Sequence, residues 1–129
     1  IDVGYRARIA GYVNRYEPGA EVIHVGSAAS GARYHEFKIR LSSRNNIYLL
    51  YKNMPLVQKI LNSPLLLLGF VIKYVFFKRK GYGKLYLDGL KEGCHMGKKT
   101  DKVKFRTQNM KNYIRIQLEL WINLFRRLI

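Results

Sequence analysis

The stretch that decides the fold is PLLLLGFVIKYVFF, residues 64–77, in which Lys73 is the one charged side chain. Residues 56–63 extend this run towards the N terminus. They also add four polar side chains, Gln58, Lys59, Asn62 and Ser63. A helix needs about 20 consecutive apolar residues to cross the hydrocarbon core of a bilayer, so the uninterrupted run is too short. We therefore predict that residues 56–77 form a re-entrant or interface-lying hairpin and do not span the membrane fully.

The positive charge of the chain is concentrated after this apolar segment. The formal net charge is +16, divided as +4 over residues 1–53, +2 over 54–77 and +10 over 78–129. Nucleic acid and the cytoplasmic leaflet of a membrane both attract such a chain. The apolar segment, with Lys78-Arg79-Lys80 directly after it, favours the membrane. We therefore predict an anionic membrane surface, and no nucleic acid, as a partner.

The cysteine content and the N-terminal residues suggest a location. Cys94 is the single cysteine, so the chain forms no internal disulfide, which fits a reducing compartment. The chain begins with Ile1, and Asp2 and Arg6 stand where a signal peptide would be apolar. We expect a piece of a longer protein on the cytoplasmic face of the cell membrane, held peripherally or by a re-entrant segment.

The C-terminal part of the chain is predicted to be helical. Residues 82–97 favour a helix, which three glycines weaken, and residues 98–104 form a charged loop. Residues 107–129 have the period of an amphipathic helix. Its apolar face carries Met110, Ile114, Leu118, Trp121, Phe125 and Leu128. Basic residues beside Trp and Phe are typical of a helix at a membrane interface, and a packed core helix explains the same pattern.

The N-terminal part mixes helices with a predicted hairpin. Residues 2–10 favour a short helix that Asp2 caps and Gly11 ends. Residues 12–16 and 20–25 are predicted to pair as a β-hairpin around the turn at 17–19. Residues 26–32 form a small-residue loop. Residues 33–53 favour a helix whose face carries Phe37, Leu41, Tyr48 and Tyr51, ended by Met54-Pro55.

Several short motifs follow one another in a recognisable order over the first 55 residues. The chain opens with IDVGYRARIAGY, residues 1–12, and continues with a Pro-containing turn at YEPGA, residues 16–20. Next come VIHVGS at 22–27, Ser30-Gly31, Arg44-Asn45 and KNMP at 52–55. This order resembles the inverting family-2 glycosyltransferases, in particular the rhamnosyltransferase-like branch that builds surface polysaccharides. Residues 1–12 resemble the end of their Glu-Asp-x-Asp motif and the helix after it.

The resemblance implies an α/β fold of the nucleotide-diphospho-sugar transferase (GT-A) type. This chain would be a C-terminal fragment of that fold, mainly α-helical with one short β-hairpin. Residues 1–55 would be the end of the catalytic domain, and residues 56–129 membrane-associated apolar and basic amphipathic helices. The implied reaction transfers a sugar from a nucleotide-diphospho-sugar donor to a lipid-linked or polysaccharide acceptor, and the rhamnosyltransferase-like branch suggests rhamnose as that sugar. The resemblance places the catalytic base just before Ile1, so we expect the fragment alone to be inactive.

The resemblance also implies roles for individual residues. Asp2 matches the last Asp of the motif and supports the missing base. His24 would contact a divalent metal, Mg²⁺ or Mn²⁺, on the donor diphosphate, although a histidine on an apolar strand is by itself more often a core residue. The residues predicted to bind the donor diphosphate or the acceptor are Gly26, Ser27, Ser30, Arg44, Tyr5 and Arg6. Each has an ordinary structural explanation as well: a solvent loop for the first three, a solvated surface for the arginines, and the core for Tyr5.

Two other functions fit parts of the sequence. A non-enzymatic basic module that binds nucleic acid explains the charge, but it leaves the apolar length of residues 56–77 without a use. A small membrane-anchoring protein explains residues 54–129, but it leaves the ordered motifs of the first 55 residues unexplained. We therefore predict a glycosyltransferase fragment, with a basic membrane-surface or nucleic-acid-binding module as the alternative.

Overall fold

A computed structural model describes residues 2–21 and 34–128 of the chain. Within these ranges the chain forms five α-helices and one 3-10 turn. In chain order these are α1 (Asp2–Ile9), α2 (Glu36–Asn53), α3 (Leu56–Arg79), α4 (Gly83–Lys99), the 3-10 turn Thr107–Asn109 and α5 (Met110–Leu128). The chain divides into two compact units, Ile1–Gly19 with Val103–Ile129 (unit 1) and Ala20–Lys102 (unit 2).

The predicted α/β fold of the GT-A type is wrong for the described part of the chain. No residue of 2–21 or 34–128 lies in a strand, so the predicted β-hairpin is not formed by residues 12–16 and 20–21. Residues 22–25, the rest of the second predicted strand, lie outside the described residues. The β-propensity of Tyr and Val expresses packing on a neighbouring strand. Tyr16 is 89% exposed, so that packing is absent here and the segment stays irregular.

Unit 1 is built on the contact between α1 and α5. Its core joins Ile9 to Tyr113 and Ile116, with Tyr5 packed against them. The predicted helix over residues 2–10 is confirmed, and Gly11 ends it at a φ of +94°, a left-handed conformation that glycine adopts readily. The side-chain amide of Asn112 on α5 donates a hydrogen bond to the Ile9 carbonyl (3.0 Å), which ties the end of α1 to α5.

The predicted apolar face of α5 is not the face that packs in unit 1. The buried residues of α5 are Tyr113, Ile116 and Gln117, while Met110, Ile114, Leu118 and Phe125 on the predicted face are exposed. The helix itself is confirmed, with its first residues, Thr107–Asn109, in the tighter 3-10 form. α5 carries apolar residues on two sides, and α1 covers only one of them.

Unit 2 is held together by a glycine seam between α2 and α4. Gly89, Gly93 and Gly97 recur every four residues on α4, so they form one stripe along the helix, and all three are buried. A Cβ atom on Gly89 would lie 2.7 Å from the Arg40 carbonyl oxygen, and one on Gly97 would lie 2.6 Å from the Tyr51 Cβ. α2 ends at Asn53 as predicted and begins at Glu36. His35 caps its first turn, because the His35 Nδ1 accepts a hydrogen bond from the Phe37 amide (3.2 Å). Phe37, predicted to share a face with Leu41, Tyr48 and Tyr51, is 63% exposed.

The predicted hairpin over residues 56–77 is wrong, because α3 is one continuous helix of 24 residues. Pro64 lies inside it and cannot donate to the Ile60 carbonyl, which is four residues earlier. The Ser63 hydroxyl donates to that carbonyl instead (2.8 Å). The hydrogen bond that proline removes is thereby replaced within the same turn, and the helix continues to Arg79.

The seam predicts that Gly89→Ala destabilises unit 2. The added methyl meets the backbone of α2, so the helices must separate, at a cost of about 1–3 kcal/mol. Hydrogen exchange of the α2 and α4 amides, followed by mass spectrometry, measures this loss as faster exchange in both helices.

Gly69→Ala is the matched control for this seam. Nothing lies within 4 Å of the position its Cβ would take, and Gly69 is also inside a helix. The control should leave α2 and α4 protected, and equal protection in Gly89→Ala would contradict a seam that requires glycine.

Candidate functional site

The first candidate site residues lie on α1. The Asp2 carboxylate lies 3.6 Å from the Arg6 guanidinium, one turn along the helix, and Arg6 is exposed. An i,i+4 pair of this kind stabilises a helix by only about 0.2–0.5 kcal/mol, so it orients the two side chains without fixing the fold. Tyr5 instead packs against the core of unit 1, and its burial, with a smaller effect of Tyr113, raises its pKa to about 12. The core explanation for Tyr5 is the one this packing supports.

A polar pocket of about 300 Å³ lies beside α1 in unit 1. Its lining residues are Arg8, Tyr12, Val13, Asn14, Arg115 and Glu119. Arg8 forms an ion pair with Glu119, and the Arg115 guanidinium lies 4.0 Å from the same carboxylate. Two cations therefore share one anion, and the pocket keeps a net positive charge that suits an anionic or hydroxyl-rich ligand.

Arg44, predicted to bind a diphosphate, has a carboxylate partner in unit 2. Its Nη1 lies 3.3 Å from Glu92 Oε1, and Arg40 Nε lies 2.9 Å from Glu92 Oε2. The hydrogen bond from Arg40, together with that from Arg44, lowers the pKa of Glu92. A phosphate at Arg44 would compete with Glu92, which already bridges α2 to α4.

The predicted loop and metal residues cannot be placed. His24, Gly26, Ser27 and Ser30 lie outside the described residues. Within residues 2–21 and 34–128 no three His, Cys, Asp or Glu side chains come together as a metal-binding group. The predicted site residues that the structure describes are Asp2, Tyr5, Arg6 and Arg44, and the predicted metal ligand His24 is not among them.

The most extensive exposed surface of unit 2 is the outward face of α3. The buried polar residues Gln58 and Asn62 lie on the inward face, whereas Lys73 in the second half of the helix is exposed. The outward face is apolar over about five turns and carries Val57, Leu61, Leu65, Leu68, Ile72 and Val75, all exposed. Leu68 and Ile72, near the middle, are 56% and 60% exposed. We call this stripe the outer face of α3.

The outer face ends in a cluster of cations and aromatic rings. Arg79 follows Val75 by one turn, so it continues the apolar stripe. The Lys80 ammonium lies 4.7 Å from the centre of the Tyr34 ring and 5.3 Å from that of Phe76. Among the described residues no carboxylate lies within salt-bridge distance of Arg79 or Lys80. The C-terminal end of α3 is therefore a positively charged rim on an apolar surface.

Sequence reasoning missed the residues that depend on distant partners. Glu92 is 52 residues from Arg40 and 48 from Arg44, and Arg8 is 111 residues from Glu119. No local sequence pattern indicates such pairs. Gln58 and Asn62 did carry a signal, because their i,i+4 spacing puts both on one face of a helix.

No family model, curated protein or solved structure matches this chain. The resemblance to family-2 glycosyltransferases therefore stays a prediction that depends on the motifs of residues 1–55.

The Glu92 bridge predicts a pH dependence for unit 2. Its folded pKa lies below the ordinary value of 4.5, so the bridge contributes fully above about pH 4.5 and is lost as the pH falls through the folded pKa. The exchange protection of α2 and α4 should therefore decline below about pH 4.5. Glu92→Gln should lower protection at pH 7 and remove this part of the acid dependence.

Asp88→Asn, an exposed change on the same helix, is the control and should keep the wild-type profile. If Glu92→Gln keeps the full acid dependence, Glu92 is not the group responsible.

Proposed function

We propose that this chain holds a sugar-transferring enzyme at an anionic membrane surface. α3 lies in the surface of the cytoplasmic leaflet, with its outer face towards the acyl chains. α1 contributes Asp2 and Arg6 to the inverting transfer of a sugar from a nucleotide-diphospho-sugar to a lipid-linked or glycan acceptor. The observation that carries the proposal is the exposed apolar outer face of α3, which ends in the basic run 78–80.

The length and composition of α3 support a membrane location. It is the one helix, among those of the described residues, that is long and apolar enough to cross a bilayer, and only 6% of its most apolar window is buried. Its 24 residues extend about 36 Å, compared with about 30 Å for a hydrocarbon core.

The packing of α3 favours an orientation in the plane of the membrane. α4 packs on α3 and carries charged residues such as Lys91 and Glu92. If α3 crossed the bilayer, these charges would enter the hydrocarbon core at a cost of several kcal/mol. A helix with one apolar face and one face packed on polar protein is stable at the interface, buried by about 5–10 Å.

The transferase part of the proposal is supported by the sequence order and by α1. Asp2 lies in the first turn of a helix, as the resemblance requires for the last Asp of the motif. Its carboxylate is an acceptor for a sugar hydroxyl, and Arg6 beside it is an exposed donor for an anionic group. The proposal assigns the catalytic base to a residue outside these 129 residues. We therefore expect them alone to have no sugar-transfer activity.

A basic module without catalysis is the second candidate. The net charge of +16 favours it. It shares the membrane-facing α3 but gives Asp2 no chemical role, which separates the two candidates in an activity assay.

The membrane part predicts that Leu68→Lys weakens liposome binding. The change removes a leucine whose burial is worth about 1.5–3 kcal/mol and puts a charge against the acyl chains. Flotation of the purified chain with vesicles of phosphatidylcholine and phosphatidylglycerol measures the bound fraction, which should fall strongly.

Leu87→Lys adds the same charge at a partly exposed position of α4 and should float like the wild type. If both variants float equally well, the outer face of α3 does not carry the binding.

The transferase part predicts a Glu-Asp pair encoded immediately before Ile1, and loss of activity in Asp2→Asn. In the longer enzyme this change should lower kcat about 10-fold or more, within the range for a group that assists proton transfer. Sugar transfer to a lipid-linked acceptor is measured with a panel of labelled nucleotide-sugars.

Asp101→Asn, an exposed change in the loop after α4, should keep wild-type activity. Full activity of Asp2→Asn would remove Asp2 from the site, and the absence of upstream carboxylates would favour the non-catalytic module.

A further inference from the structure

At the C-terminal end of the outer face, α3 carries a groove that is apolar at one end and positively charged at the other. A shallow groove of about 620 Å³ runs along α3 and is lined by Val71, Ile72, Val75, Phe76, Arg79 and Lys80. Four of these side chains are apolar and two are cationic. The groove thus presents an aliphatic surface that leads directly to a pair of positive charges.

Arg79 lies at a position where its positive charge, without an anion beside it, would be energetically unfavourable in a membrane. By helical spacing it continues the stripe of Ile72 and Val75, so it is on the side of α3 that the proposed function turns towards the bilayer. Within residues 2–21 and 34–128 no carboxylate pairs with it. A guanidinium in this position requires an anion, and at the level of the headgroups the available anion is a lipid phosphate.

Lys80 is held beside Arg79 by aromatic rings. Its ammonium lies over Tyr34 and Phe76, whose ring centres are 5.8 Å apart. Cation–π contact orients the ammonium without neutralising its charge. The two cations are therefore placed together, and both remain available to one phosphate.

We propose that this groove binds one anionic membrane phospholipid. The inference rests on the membrane part of the proposed function and adds a specific site to it. The phosphate lies between Arg79 and Lys80, and an acyl chain passes over Val75 and Phe76 into the bilayer. The proposed ligand is a glycerophospholipid with a net negative charge, such as phosphatidylglycerol.

Native mass spectrometry of the full chain in a neutral detergent tests the site, with dioctanoyl-phosphatidylglycerol as the probe. The proposal predicts one tightly bound lipid per chain and no comparable binding of dioctanoyl-phosphatidylcholine. Arg79→Gln with Lys80→Gln should raise the Kd roughly thirty-fold, as expected for the loss of two cations at an anionic headgroup. Val75→Ser, which leaves the charge unchanged, should also raise the Kd.

Lys98→Gln with Lys99→Gln is the matched control, because it removes the same charge from exposed positions. Lys98 is fifteen residues beyond Gly83, about 22 Å along α4, which exceeds the Debye length of about 8 Å at physiological salt. The control should keep the wild-type Kd. An equal loss of affinity in both pairs would overturn the proposal in favour of diffuse charge attraction.

Three further outcomes distinguish the possible failures. If the chain floats with mixed vesicles but binds no phosphatidylglycerol in this assay, the groove is wrong and the membrane proposal stands. If a short polyisoprenyl phosphate binds and phosphatidylglycerol does not, the phospholipid is the wrong occupant. If the wild type does not float at all, the proposed function itself fails.

Discussion

The outer face of α3 imposes the main physical constraint on this protein. Eleven large apolar side chains of this one helix are exposed, and burying apolar surface is worth about 25 cal/mol per Å², so leaving them in water is unfavourable. Soluble monomers rarely keep so large a contiguous patch uncovered. Only part of the other side of this helix packs on the rest of unit 2: Gln58 and Asn62 are buried there, and Phe77 stacks on Tyr86. The helix therefore separates a polar protein side from an apolar side that a lipid surface would cover.

The rest of unit 2 supports this division. The glycine seam lets α4 approach α2 closely, and the Glu92 bridge ties the same two helices by charge. α4 then covers the inward face of α3, where Phe77 stacks on the buried Tyr86 with ring centres 5.3 Å apart. Unit 1 has its own small core around Ile9 and an exposed apolar side on α5, with Phe125 65% exposed. Each unit thus leaves one apolar surface open beside basic residues.

The local sequence pattern predicted where the helices lie, but it did not predict which surfaces of these helices pack together. The ends of α1 and α2 followed from Gly11 and Met54-Pro55, whose effects on the backbone are local. The hairpin failed because strand propensity has meaning only beside a second strand, and nothing described pairs with residues 12–16. The hairpin predicted for residues 56–77 was wrong because Gln58 and Asn62, which interrupt the apolar run in the sequence, lie on one face of a continuous helix. The residues matched to the glycosyltransferase motif divide between α1, α2 and a segment outside the described residues, so the sequence remains the main support for them.

The depth of α3 in a bilayer tests the account most directly. Spin labels are placed one at a time along α3 in a Cys94→Ser background, and their accessibility to oxygen and to a water-soluble nickel complex is measured on anionic vesicles. The account predicts that the accessibility to oxygen rises and falls with a period of about 3.6 residues along α3. Leu61, Leu65, Leu68 and Ile72 should all lie at a similar shallow depth of about 5–10 Å. A depth that changes steadily from one headgroup layer to the other would show that α3 spans the membrane. Labels that all remain open to the nickel complex would show that α3 does not enter the membrane, and either result would contradict the account.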